Sequence, residues 1–109
     1  MHEAIYERLK AVAREGKTIT YGEIAPLAGL DMANEADRIK ITEILQEIGS
    51  FELQHNRPML PAVVVQKSKN MPGQGFFRAA RRSGAYKGND DLGYFQEELR
   101  KVHEYWKQA

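Results

Sequence analysis

The sequence predicts an α+β fold, a single winged helix-turn-helix domain over residues 1–109. Three observations predict it. Apolar residues recur at helical spacing in three long stretches. Two short segments with helix-start chemistry meet at a glycine turn. One apolar run dominated by β-branched valines, Ala62-Val63-Val64-Val65, precedes the turn signal Asn70-Met71-Pro72-Gly73. A chain of 109 residues suits one domain with one modest core.

The first helix is expected from about His2 to Glu15, with Ile5, Leu9, Val12 and Ala13 as its apolar stripe. Gly16 is placed to end it, because glycine accepts the left-handed conformation found at many helix termini. Lys17-Thr18-Ile19 is a connector or a single edge pairing. Thr20 and Glu23 then have capping-box spacing, which starts a second, short helix at about Tyr21 and carries it to Ala28 before Gly29. Either Asp31 or Asn34 can cap the third helix, expected from about Glu35 to Leu53. Its stripe is Ile41, Ile44, Leu45 and Ile48, with Phe51 at the margin.

Arg57-Pro58 breaks that pattern. Leu60 to Gln66 reads as the clearest strand, and Pro61 suggests an edge position or a bulge. Gly75-Phe76-Phe77 either returns as the second strand of a hairpin wing or leads into a short helix through Ala80 and Arg82. Ser83 to Asp90 is a loop. The last helix, about Asp91 to Lys107, presents Leu92, Phe95, Leu99, Val102 and Trp106 at spacings of 3 and 4. That seam is expected to close the core. A homodimer interface is the lesser alternative, because the seam is shorter than a convincing coiled coil.

Charge is distributed unevenly. Between Leu53 and Asn89 stand seven basic residues and no acid: Arg57, Lys67, Lys69, Arg78, Arg81, Arg82 and Lys87. The whole chain is only +1, so the remainder carries −6. Such a segment attracts polyanions if folding gathers it on one face. There is no cysteine, which removes disulfides, thiolate metal sites and thiol nucleophiles. His2, His55 and His103 are not at metal-ligand spacing, so neither metal nor cofactor is expected. Pro72-Gly73-Gln74-Gly75 lacks the lysine-serine ending of a P-loop and reads as a turn. No apolar run approaches the roughly 20 residues of a membrane helix. Met1-His2-Glu3-Ala4 shows no secretory pattern, so a cytoplasmic protein is expected.

Ile19-Thr20-Tyr21-Gly22-Glu23-Ile24-Ala25 and Leu27-Ala28-Gly29 resemble the winged-helix DNA-binding domain of alkylguanine-DNA alkyltransferases and the alkyltransferase-like proteins. The later match is Ala62-Val63-Val64-Val65 followed by Pro72-Gly73-Gln74-Gly75-Phe76-Phe77, about two thirds of the chain in all. The resemblance implies that Tyr21 presses on the DNA backbone where a nucleotide is rotated out of the duplex. The family's stack-filling arginine has Ile39 at its place, with Arg38 one step away. The Pro-Cys-His-Arg-Val motif is absent, as is the glutamate beyond the glycine-rich loop, where Arg82-Ser83-Gly84 stands. Without cysteine the family's alkyl transfer is excluded.

The expectation is therefore a non-catalytic DNA-binding protein, related to the alkyltransferase-like winged helices and directed at double-stranded, damaged or modified DNA. Its expected contacts are Tyr21, Arg38, Lys40, Lys67, Lys69, Arg78, Arg81, Arg82 and Lys87. The third helix would enter the major groove, although Glu35, Asp37, Glu43 and Glu47 on it repel phosphate. The alternative is an adaptor or small subunit whose basic face docks an acidic partner.

Overall fold

A computed structural model describes all 109 residues. The first helix, α1 (Glu3–Arg14), buries Ile5, Leu9, Val12 and Ala13 as expected, and adds Tyr6. His2 caps it, its Nδ1 accepting from the Ile5 amide at 3.2 Å. Gly16 takes φ +68° at its end.

After β1 (Ile19–Thr20), the capping box forms in full. Thr20 Oγ1 accepts from the Glu23 amide at 3.2 Å, and Glu23 Oε1 accepts from the Thr20 amide at 3.0 Å. These bonds hold the Glu23 carboxyl below its ordinary range. The helix they start is shorter than expected. It is α-helical only as α2 (Tyr21–Ile24), and Pro26 in the next turn makes Ala25–Ala28 a 3₁₀ turn that ends at Gly29, φ +69°. Asn34 is the cap of α3 (Glu35–Gln54), its side chain accepting from the Asp37 amide at 3.0 Å.

Two expectations fail between Leu60 and Arg82. Leu60–Val63 is a 3₁₀ turn, with Pro61 in its opening positions, where a missing amide costs nothing. Only Val64–Val65 is strand (β2), and it pairs in parallel with β1, Ile19 opposite Val64 and Thr20 opposite Val65. No hairpin wing forms, because Gly75-Phe76-Phe77 belongs to α4 (Gln74–Arg82). The local pattern explains this outcome. Phe76, Phe77, Ala79 and Ala80 are all buried, which is helical spacing, whereas a strand would expose every second residue. The valines of β2 are buried too, as a parallel pair covered by helices requires. In place of a wing, residues 66–71 form a tight loop. The Gln66 amide donates to Met71 O at 2.7 Å and the Asn70 amide to Gln66 O at 2.8 Å, with Asn70 at φ +54°.

The last helix, α5 (Asp91–Gln108), departs from the expected seam at two positions. Leu92 is half exposed, and Glu98 is buried between Phe95 and Val102. The Glu98 carboxylate accepts from the Met59 amide at 2.8 Å, which fixes α5 to the start of the 3₁₀ turn. One apolar cluster joins α1, α3, α4, α5 and β2, in a molecule of 31 × 30 × 26 Å. The result is a mostly helical α+β domain with a two-stranded parallel sheet. No helix is long and apolar enough to cross a membrane.

Candidate nucleic-acid interface

A cavity of about 390 Å³ opens between α2, the first half of α3, the 66–73 segment and the start of α4. Its lining grades from apolar to charged. Leu45, Met59, Pro61, Phe76 and Ala79 are buried and form the floor. Tyr21, Thr42, Gln46 and Gln66 are half-buried and form polar walls. Arg38, Gln74 and Arg78 are exposed and stand at the mouth. No carboxylate and no imidazole lines it.

Two hydrogen bonds hold the cavity open. The Gly73 amide donates to Tyr21 Oη at 2.7 Å, tying the start of α4 to α2. Gln46 Nε2 donates to Gly75 O at 3.3 Å, tying it to α3. Burial raises the Tyr21 phenol above its ordinary range, partly offset by the Gly73 amide. The phenol therefore stays protonated near neutrality. Its oxygen accepts from Gly73, and its own O–H makes no hydrogen bond within the protein, so the donor is free for a ligand.

Gly75 has a steric role at this junction. A Cβ built there would lie 2.6 Å from Thr42 Cγ2. Gly75→Ala is expected to push α4 off α3, break the Gln46 bond and cost about 1–3 kcal/mol, as overpacking typically does. Adding Thr42→Ser, which removes the obstructing methyl, should restore most of that stability in urea denaturation. A double variant no more stable than Gly75→Ala would show that the close approach is not the cause.

The nine residues expected to contact nucleic acid separate into groups. Tyr21, Arg38 and Arg78 meet at the cavity. Arg38 donates to Met32 O at 2.9 Å and keeps its remaining donors, whereas Arg78 makes no hydrogen bond or ion pair within the protein. Lys67 and Lys69 are exposed on the 66–71 loop, beside the Gln66 wall, and Lys67 is close enough to Glu23 to favour its charged form. Lys40 does not join them. Two residues from both Arg38 and Thr42, it lies on the far face of α3.

The remaining cations lie elsewhere. Arg81 donates to Gly88 O at 2.7 Å, meets Asp91 at 3.5 Å and stacks 4.2 Å from the Tyr86 ring centre, so it joins α4 to α5. Arg82 faces a second groove shared with Glu43 and Glu47 of α3. Lys87 is exposed in the loop before α5. Arg57 forms a 2.6 Å ion pair with the fully buried Glu52. At about 1.5 Å per residue, that pair lies roughly 20 Å along α3 from Arg38. Of the cations of the middle segment, Arg78 thus stands at the cavity mouth, Lys67 and Lys69 on the loop beside its Gln66 wall, and Arg57 and Arg81 in structural contacts, while Arg82 and Lys87 lie apart from all of these.

Sequence reasoning missed Gln46 and Gln74, because amides brought together from α3 and α4 leave no linear signal. It also missed Glu52, although a signal existed. Glu52 continues the 41, 45, 48 register of buried positions, and a basic residue follows five places later. Comparisons with family models, with curated proteins and with solved structures found no match for this chain.

Proposed function

We propose that this domain binds double-stranded DNA without catalysis, as a relative of the alkyltransferase-like winged helices, through the cavity edge formed by α2, α3, α4 and the 66–71 loop. One observation carries the reading. Arg38 and Arg78 stand at the mouth of a cavity that no acid lines, and Lys67 and Lys69 are exposed on the loop that follows Gln66 of its wall. Such an arrangement suits phosphates, which bind by charge and position the protein without reading sequence. Among the acids of α3, Glu43 and Glu47 line the second groove and not the cavity. Glu35 and Asp37 stand in the first turn of α3, where Asp37 accepts from the Asp31 amide at 2.9 Å, so the contact is assigned to Arg38, α4 and the loop and not to that turn. The loop takes the part that a hairpin wing would play.

Preference for damaged or modified duplex is the finer part of the proposal and rests on Tyr21, whose ring and free O–H border the cavity. The test is fluorescence anisotropy with labelled intact and mismatched duplexes. Lys67→Gln with Lys69→Gln is expected to weaken both about equally, by roughly tenfold, since phosphate contacts are sequence-independent. Tyr21→Ala is expected to weaken the mismatched duplex more. Equal losses for Tyr21→Ala would leave that residue a packing group. An unaffected loop variant, or tighter binding to an acidic peptide than to duplex, would favour the adaptor reading.

A further inference from the structure

The cavity has properties that backbone binding does not require. It is deep enough to have a buried apolar floor, and its volume of about 390 Å³ lies within the range of small-molecule sites, roughly 300–1,000 Å³. Duplex phosphates would need only its rim. We propose that the cavity binds a free nucleoside 5′-monophosphate, with the phosphate at Arg38 and Arg78 and the base over Leu45, Met59 and Phe76.

Charge selects the monoester. Two guanidiniums face the mouth and nothing in the lining neutralises them. A phosphomonoester carries about −1.5 to −2 near neutral pH, whereas each phosphodiester of a strand carries about −1. Arg78 is the sharper indication, because this cation has no partner within the protein yet stands beside an acid-free cavity. The N-terminus of α4 opens at the same place with no side chain capping it, so its first amides add to the positive end. The floor is apolar, as a flat base requires. The walls offer Gln46, Gln66 and the Tyr21 hydroxyl, which can both donate to and accept from the edge of a heterocycle.

This inference stands apart from duplex binding, and the two can fail separately. The test is calorimetric titration with the four common nucleoside 5′-monophosphates, their parent nucleosides, inorganic phosphate and a dinucleoside phosphodiester, followed by amide shifts of Gly73 and Gly75 in NMR. At least one monophosphate is expected to saturate the protein and shift both amides. Its nucleoside, inorganic phosphate and the diester should each bind at least tenfold more weakly. Arg78→Gln should weaken the monophosphate at least tenfold at unchanged melting temperature, and Arg38→Gln repeats the test from α3. Lys67→Gln with Lys69→Gln should leave monophosphate affinity unchanged while duplex affinity falls. Absence of saturable binding by all four monophosphates would overturn the proposal. So would equal affinity in both arginine variants, or a diester that binds more tightly than the monoester, which would make the cavity a reader of strands.

Discussion

Arg57→Leu is expected to destabilise the domain by about 3–5 kcal/mol, because it strands a carboxylate in the core. Glu52 is wholly inaccessible to solvent, and its oxygens accept from Arg57 Nε at 2.6 Å and Tyr6 Oη at 3.3 Å. With Arg57 gone, the phenol is the only donor left. The guanidinium also lies 5.5 Å from the Phe51 ring centre, so its loss opens the aromatic contact between Phe51 and Tyr6. Domains of this size hold only about 5–15 kcal/mol in total, so the variant should be close to unfolding. Glu52→Gln should cost less. The amide can still accept from Tyr6, and Arg57, whose side chain is 20% exposed, can turn to water. Urea denaturation of the three proteins measures this order. A loss below about 1 kcal/mol for Arg57→Leu would mean that water reaches the pair after all.

The second large effect concerns binding. Arg38→Gln with Arg78→Gln is expected to lower duplex affinity by tenfold or more at low salt and to reduce the salt slope by about two, one for each phosphate contact removed. Both side chains are exposed and only Arg38 gives up a hydrogen bond, to Met32 O, so the fold should be little affected. Lys40→Gln is the matched control, being a cation of the same helix on its other face. A control that lost as much affinity as the double variant would move the contact surface around α3.

Much of the fold was legible in the sequence because its signals are local. Gly16 and Gly29 end their helices in the left-handed conformation, and the Thr20–Glu23 box forms as its spacing indicates. The third and last helices lie within a few residues of their expected bounds. What failed depends on partners distant in sequence. Val64 and Val65 look like half of a hairpin, yet their partner is Ile19-Thr20, more than forty residues earlier. Leu92 keeps the period of its helix but lies beyond the core, and Glu98 takes a buried position because the Met59 amide needs an acceptor. The site behaved in the same way. Charge composition named Arg78, Lys67 and Lys69 together with Arg57 and Arg81, and it could not show that the last two are held by Glu52 and Asp91, since counting charges does not say which pairs the fold closes. The cavity was not legible at all, since its walls come from three helices and a loop.

The most direct test of DNA binding through the cavity edge is the affinity of the unmodified protein for a labelled duplex, measured from about 50 to 200 mM salt. If Arg38, Lys67, Lys69 and Arg78 each meet a phosphate, the logarithm of the association constant should fall linearly with the logarithm of salt concentration, with a slope of about −3 to −4. No detectable complex at the lowest salt, or an affinity indifferent to salt, would contradict it.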